Sequence, residues 1–271
     1  MFWLLESICP RRKRLGEPMR TVDAGRRSIE YLSDPMPVNM GDWWFDIATG
    51  DHFWIRRRFE VMRQLADSAI RNARRCAEIG CGNGLLQREL EDHYGISVAG
   101  FELNEVALQK NVSRKSPLYC YNIHQCNPEF RAHFDVLFLF DVLEHIEDES
   151  AFLQSLKFHL AVSGTLLVNV PAHEFFRSDY DLAAGHVRRY SASQLAKVSE
   201  RNGFKVLTLT YWGLPLAPLL LLRKAINQSG KSGFDSRGRI LNSLLMFVAR
   251  CEPLPQRLLG TSIMAVLENQ A

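Results

Sequence analysis

The sequence predicts an α/β fold in which a mostly parallel sheet lies between two layers of helix. Three observations carry this. Short apolar runs bounded by turn residues alternate with stretches of helical spacing, the pattern that builds a parallel sheet. One of them, residues 134–140, is apolar except at Asp135, as a strand covered on both faces should be. The run from Cys76 to Ile79 then passes through Gly80, Gly82 and Gly84 into a helix beginning near Leu85. Strand, glycine turn and helix in that order set backbone N–H groups against a nucleotide-like ligand.

The chain has 271 residues, enough for one large α/β domain or two small ones. Its 46% hydrophobic and 23% charged residues are ordinary for a globular protein, and a net charge of +3 gives no reason to expect nucleic acid as a partner. Cys9, Cys76, Cys81, Cys120, Cys126 and Cys251 are scattered without a CxxC pair, which fits the cytoplasm better than a disulfide scaffold or a zinc site. The apolar start, residues 1–8, is short and precedes the basic run Arg11-Arg12-Lys13-Arg14, the reverse of a secretory signal. No run reaches the ~18 uncharged apolar residues of a membrane span.

In chain order, residues 1–40 read as an arm with one short helix, broken by Pro10, Pro18, Pro35 and Pro37. Its basic run 11–14 reads as a solvated turn before it reads as a contact with an anionic membrane. Phe59, Met62, Leu65, Ala66 and Ile70 predict an amphipathic helix over 52–72. Trp43, Trp44, Phe45, Phe53 and Trp54 crowd ahead of it, as core packing and, compatibly, as a substrate lid. The glycine motif is E-x-G-x-G-x-G from Glu78 rather than G-x-G-x-x-G. A strand over 96–102 ends in Glu102, about 20 residues beyond the glycines, where a ribose-binding acid belongs. Asn104 caps a helix running to Val112, and a third strand covers 118–123.

After the fourth strand stand Asp141, Glu144 and His145, at i, i+3 and i+4. On one helical face they could ligate a divalent cation. Helix capping by Asp141, dipole complementarity by Glu144 and loop orientation by His145 are favoured instead, and no metal is expected. A helix over 148–160 and a strand over 165–170 follow. The connection 171–192 leaves the carboxyl end of that strand, where ligands bind in open α/β sheets. In it His186 is the candidate general base, and Arg188 and Arg189 are candidates for an anionic part of a substrate. A structural reading has equal weight: His186 and Arg188 pin the loop, Tyr190 packs and Ser191 caps the next helix. A helix over 193–202 and a strand over 204–211 come next, and a last strand covers 260–268. The apolar stretches 214–222 and 240–251 between them predict two helices near the substrate end of the sheet. They pack on their own domain by default, and otherwise supply an acceptor pocket, a dimer face or a membrane-surface patch.

Glu78-Ile79-Gly80-Cys81-Gly82-Asn83-Gly84, then Glu102, then Asp141-Val142-Leu143-Glu144-His145 resemble, in type and order, the motifs of class I S-adenosylmethionine (SAM) methyltransferases. Within that family the pattern resembles the type 11/23 and quinone O-methyltransferase-like groups. His52-Phe53-Trp54-Ile55-Arg56 and Gly185-His186-Val187-Arg188-Arg189-Tyr190-Ser191 extend the likeness. The resemblance implies a three-layer Rossmann-like sandwich of seven strands, with the last antiparallel between the fifth and sixth, plus a helical insert. It implies SAM as cofactor, held by Glu78, Gly80, Cys81, Gly82, Gly84, Glu102, Leu103, Asn122 and Asp141. Asn122 stands in for an expected aspartate, with His124, Gln125 and Asn127 competing. It further implies His186, Asp141 and His145 as catalytic residues, and Trp54, Arg188, Arg189 and Tyr190 on the substrate side. Some quinone O-methyltransferases similar to this chain bind metal near the Asp141 motif.

The expected organisation is an arm and helical lid (1–72), a SAM-binding core (73–213), an apolar insert (214–258) and a final edge strand (259–271). The expected activity is methyl transfer to oxygen of a small or lipid-like acceptor, with peripheral membrane contact suggested by the insert. The rivals are a protein or RNA methyltransferase, which a broad basic groove would mark, and a catalytically silent SAM-binding regulator.

Overall fold

In chain order the structure, a computed structural model, contains β1 (Arg20–Asp23), β2 (Ser28–Tyr31), α1 (Phe53–Asn72), β3 (Cys76–Ile79), α2 (Leu85–Tyr94), β4 (Val98–Glu102), α3 (Glu105–Gln109) and β5 (Leu118–Cys120). It continues with β6 (Phe134–Phe140), α4 (Glu149–His159), β7 (Leu160–Pro171), α5 (Asp179–Ala184), α6 (Ala192–Arg201), β8 (Phe204–Trp212), α7 (Arg239–Arg250) and β9 (Ser262–Asn269). The residues described are 20–23, 28–37, 49–218, 221 and 239–270. The expectations for residues 11–14, for Trp43, Trp44 and Phe45, and for most of 219–238 lie outside them.

The strands form one sheet in the order β1-β2-β5-β4-β3-β6-β7-β9-β8. From β2 to β7 all pairings are parallel, and β9 runs antiparallel to both β7 and β8. The alternation of β6 explains its apolar run. Leu137 and Leu139 face one core with Phe152, Leu156 and Leu195, whereas Val136, Phe138 and Phe140 face the other with Met62, Ile70 and Leu86. Each face is therefore sealed by helices, α4 and α6 on one side and α1 and α2 on the other.

All seven predicted strands are present, and two more precede them. The described part of the arm gives β1 and β2, an antiparallel pair whose second strand runs parallel to β5; the short helix expected in the arm lies outside the described residues. The cause is local: Ile29 is buried against Leu108, Leu118 and Cys120, covering an edge that would otherwise expose apolar side chains. Asn104 caps as expected, its Oδ1 accepting from Val106 and Ala107 N–H, but α3 ends at Gln109 rather than near Val112.

Helix α1 starts at His52, whose ring accepts from the Trp54 N–H at 3.2 Å. Of the insert, α7 packs on its own domain: Leu245, Met246 and Ala249 bury against Phe53 and Leu216. The Asn242 Oδ1 accepts from Phe53 N–H at 2.7 Å, and Arg57 pairs with buried Glu252 at 3.3 Å. Glu252 also takes the Gly213 and Leu214 N–H groups at 3.0 Å each, so one carboxylate ties the end of β8 to the start of α1. Among the described residues, no helix is long and apolar enough to cross a membrane.

Candidate functional site

At the carboxyl ends of β3, β4, β6 and β7 opens a cavity of about 970 Å³. That is at the top of the range for small-molecule sites and leaves room for a cofactor together with an acceptor. Its wall includes Trp54, Glu78, Gly80, Cys81, Gly82, Glu102, Leu103, Asn122, Asp141, His145, His186 and Arg189 among the residues the sequence singles out. Gly84, Arg188 and Tyr190 are not on it.

The glycine turn needs its glycines. Gly80, Gly82 and Gly84 all have positive φ, and a Cβ on Gly80 would lie 2.6 Å from the Val142 Cγ2. Gly84 serves from behind the wall, in the left-handed conformation that starts α2. The turn is fixed to β4: Gly80 and Cys81 N–H both donate to Phe101 O, and Gly82 N–H donates to the Glu102 Oε2 at 2.9 Å. The other Glu102 oxygen accepts from Leu103 and Asn104 N–H at 2.8 and 2.9 Å. Burial raises the Glu102 pKa while these backbone donors lower it. With two bonds on Oε1 and one on Oε2, the carboxylate keeps acceptor capacity on the side of the cavity. Glu78 lies beneath the turn with its Oε2 unpartnered, and burial pushes its pKa up to about 8. Asn122 has committed its Oδ1 to the His124 N–H at 3.0 Å, so its capping role is intramolecular.

Asp141 does not cap a helix. It leaves β6 at φ 56°, a conformation that favours glycine, and only Leu143–His145 forms a helical turn, of the 3-10 type. The reason is a set of hydrogen bonds. Asp141 N–H donates to Asn169 O, Asn169 Nδ2 donates to Asp141 Oδ1 at 2.6 Å, and Arg58 pairs with Oδ2. Asn169 in turn accepts from the Trp212 Nε1 at 2.9 Å. Arg58 lines the cavity too, and sequence reasoning gave it no role there, as it gave none to Asp181. The only sequence signal for Arg58 was position, one turn after Trp54 on α1.

A second cluster faces the same cavity. Buried Asp181 accepts from the His186 Nδ1 at 2.8 Å and from Arg189 Nε and Nη2 at 2.8 and 3.0 Å. These partners hold its carboxyl well below the usual range despite burial. His186 is thereby oriented with Nε2 toward Glu144, 3.9 Å from its Oε1. Glu144 is 1% exposed, and neither carboxylate oxygen has a hydrogen-bond partner. Burial, and then the nearby Asp141 charge, raise its pKa well above normal. The His145 ring meets the His186 ring edge-on at 4.8 Å, and burial pushes its pKa down to about 4, so it is neutral at pH 7. One ligand atom from each of Glu144, His145 and His186 lies within 4.8 Å of the others, close enough to converge on a divalent cation. This set differs from the one the spacing suggested, with His186 in place of Asp141.

Three residues expected on the substrate side are otherwise engaged. Arg188 bonds Glu149 at 2.7 Å and the Glu147 carbonyl at 2.9 Å. Tyr190 is buried with its hydroxyl on Glu149, and Arg189 is committed to Asp181 and Ala172 O. The loop is pinned by these side chains, as its structural reading held.

Residues 51–209 match a family model described as a methyltransferase domain. The chain is 28% identical over 162 residues to a protein of Mycolicibacterium smegmatis named “Probable S-adenosylmethionine-dependent methyltransferase”, an alignment over 58% of this chain and 61% of that one. It thus spans less than two thirds of the length of that relative. Among solved structures it is similar to phosphoethanolamine N-methyltransferase 2 of Haemonchus contortus in complex with SAM, with a TM-score of 0.54 at 17% identity over 80% of this chain and 53% of that one. It is also similar to the [4+2]-cyclase SpnF, with a TM-score of 0.56 at 15% identity over 88% of this chain and 99% of that one. Such identities establish a shared fold, and that fold hosts more than one reaction.

Proposed function

The chain belongs to the class I SAM-dependent methyltransferase family, and from that premise we propose that it transfers the methyl group of SAM to an oxygen of a small or lipid-like acceptor. The observation that carries this reading is a single cavity bounded by both the glycine turn with Glu102 and the Asp181-oriented His186.

The residues fit the cofactor. Glu102 keeps a lone pair of Oε2 for ribose hydroxyls, Glu78 has an orphaned oxygen below the turn, and the missing Cβ of Gly80 leaves room for close approach. When bound, SAM supplies an electrophilic methyl on a positively charged sulfur. Gly80, Cys81, Gly82, Glu102 and Leu103 would hold its adenosine part, with Asn122, through its side-chain amide N–H, and Asp141 as further contacts on the same wall. Trp54 and Arg58, carried on α1, close the cavity and exclude water. His186 would take the acceptor proton on Nε2, since Nδ1 is engaged by Asp181, as the acceptor oxygen bonded to the methyl carbon and the carbon–sulfur pair stayed with sulfur. Alignment of acceptor and methyl supplies most of the rate. The apolar insert beside the cavity mouth supports the lipid-like part of the reading.

His186→Ala should bind SAM as tightly as the native chain and lose at least about 100-fold in transfer, the usual reach of a general base. The check is methyl-tritiated SAM with a cell extract, counting label in the organic and aqueous phases. Label in a soluble amine or a protein, or an active His186→Ala, would remove the reading.

A second reading is favoured by the orphaned Glu144 carboxylate: Glu144, His145 and His186 hold a divalent cation that orients the acceptor oxygen. Asp181 on the far nitrogen of His186 is the usual outer partner of a metal-ligating imidazole. Transfer abolished by chelator and restored by a divalent metal supports this reading; transfer unchanged by chelator returns His186 to the role of base.

A further inference from the structure

The outer face of α7 is apolar without being covered. Ile240, Leu244 and Phe247, at i, i+4 and i+7, are 87%, 56% and 68% exposed, and Leu241 beside them is 47% exposed. They share one stripe of the helix. The opposite stripe, Leu245, Met246 and Ala249, is buried on Phe53 and Leu216, and both of those also line the cavity. One short helix thus has a face anchored at the cavity mouth and a face turned to solvent, both apolar.

The surroundings are basic. Arg56 and Arg250, both exposed, line a groove of about 170 Å³ together with Asn242, Ser243, Met246 and Phe247, and Arg250 is also paired with the Glu60 carboxylate. In sequence, residues 223–238, directly before α7, carry Arg223, Lys224, Lys231 and Arg237 against a single acid, Asp235, and α7 itself begins with Arg239. An apolar stripe carrying a phenylalanine and edged by arginines is the composition of a helix that lies in the plane of an anionic bilayer. A second copy of the chain is a poorer match, since two such basic edges would meet.

We propose that α7 is a membrane-surface helix: Ile240, Leu244 and Phe247 enter the headgroup–acyl boundary of an anionic bilayer, and Arg56 faces lipid phosphates, with Arg250 exchanging its Glu60 partner for them on docking. Docked in this way, the cavity mouth at Phe53 and Leu216 opens at the level from which a lipid acceptor would leave the bilayer. The inference rests on the lipid-like acceptor proposed above for its purpose, and on α7 alone for its geometry.

The test is co-sedimentation of the full chain with vesicles of phosphatidylcholine containing phosphatidylglycerol, against vesicles of phosphatidylcholine alone. The chain should bind the anionic vesicles, more weakly at high salt, and Leu244→Asp with Phe247→Asp should lower the partition by roughly tenfold or more. SAM affinity, measured on the same variant, should stay unchanged, because neither residue lines the cavity. Absence of binding to either vesicle overturns the proposal. So does equal binding by native chain and variant, which would place the contact elsewhere. A native dimer that the same substitutions dissociate makes a second copy the occupant and overturns it as well. Failure here with intact SAM binding leaves the transfer reaction standing, whereas loss of SAM binding by the native chain defeats the reaction and says nothing of α7.

Discussion

Glu78 sits under the glycine turn, nearly inaccessible, with one oxygen unpartnered and a pKa pushed by burial to about 8 from 4.5. Between those two values the folded chain holds a proton that the unfolded chain has released. Stability from this group is therefore full below about pH 4.5 and is lost as pH rises through about 8, at up to roughly 1.4 kcal/mol per pH unit. Glu78→Gln cannot ionise, so it should gain on the native chain as pH rises, and denaturant unfolding at pH 5 and pH 8.5 should show the gap widening. An unchanged gap would mean that the carboxylate is solvated. Among residues, Glu78, Glu102 and His186 were legible as neighbours of one cavity, since each stands at a motif position and the fold brings all three to its wall. Arg58 was not legible, because its role arises from α1 lying across the end of β6. Arg188 and Tyr190 lie off the cavity wall with their hydrogen bonds taken by Glu149, a pairing far along the chain that a sequence does not show.

At the scale of elements, the glycine turn and the end of β6 are held against each other. Val142 fills the space where a Cβ on Gly80 would stand, and Asp141, one residue earlier, is fixed by Asn169 and Arg58. Gly80→Ala meets both a left-handed backbone and the Val142 methyl, so it should cost about 1–3 kcal/mol and lower the melting temperature by several degrees. SAM affinity should fall with it. Trp212→Phe tests the other side. It removes the Nε1 donor to buried Asn169 and should cost about 1–3 kcal/mol, measured by urea unfolding. Because Asn169 then loses its fixed orientation, SAM affinity should also weaken although Trp212 does not line the cavity. The apolar pattern revealed β3, β4 and β6 because both faces of each are buried, and period or length was enough. The left-handed Asp141 was invisible: nothing in Asp-Val-Leu-Glu-His distinguishes a helix start from a turn set by a neighbouring strand.

At the scale of the whole molecule, the sheet is wider than its motifs indicate. β1 and β2 cover β5 and bury Ile29, in a stretch whose prolines argued against any long element. A chain shortened to begin after Tyr31 should expose the β5 edge and aggregate on heating, as seen by light scattering, while the glycine turn and Glu102 remain in place. The parallel core and the order of its strands were legible because alternating strands and helices admit few topologies. The hairpin was not, since a four-residue strand carries little periodic signal.

The account rests on SAM occupying the cavity between the glycine turn and His186. Equilibrium dialysis of the full chain against labelled SAM tests that most directly. One equivalent should bind per chain, displaced by S-adenosylhomocysteine, and Glu102→Ala should weaken binding at least tenfold, the loss of about 1.4 kcal/mol expected when a charged hydrogen-bond acceptor is removed. No saturable binding by folded protein, or undiminished binding by Glu102→Ala, would contradict it.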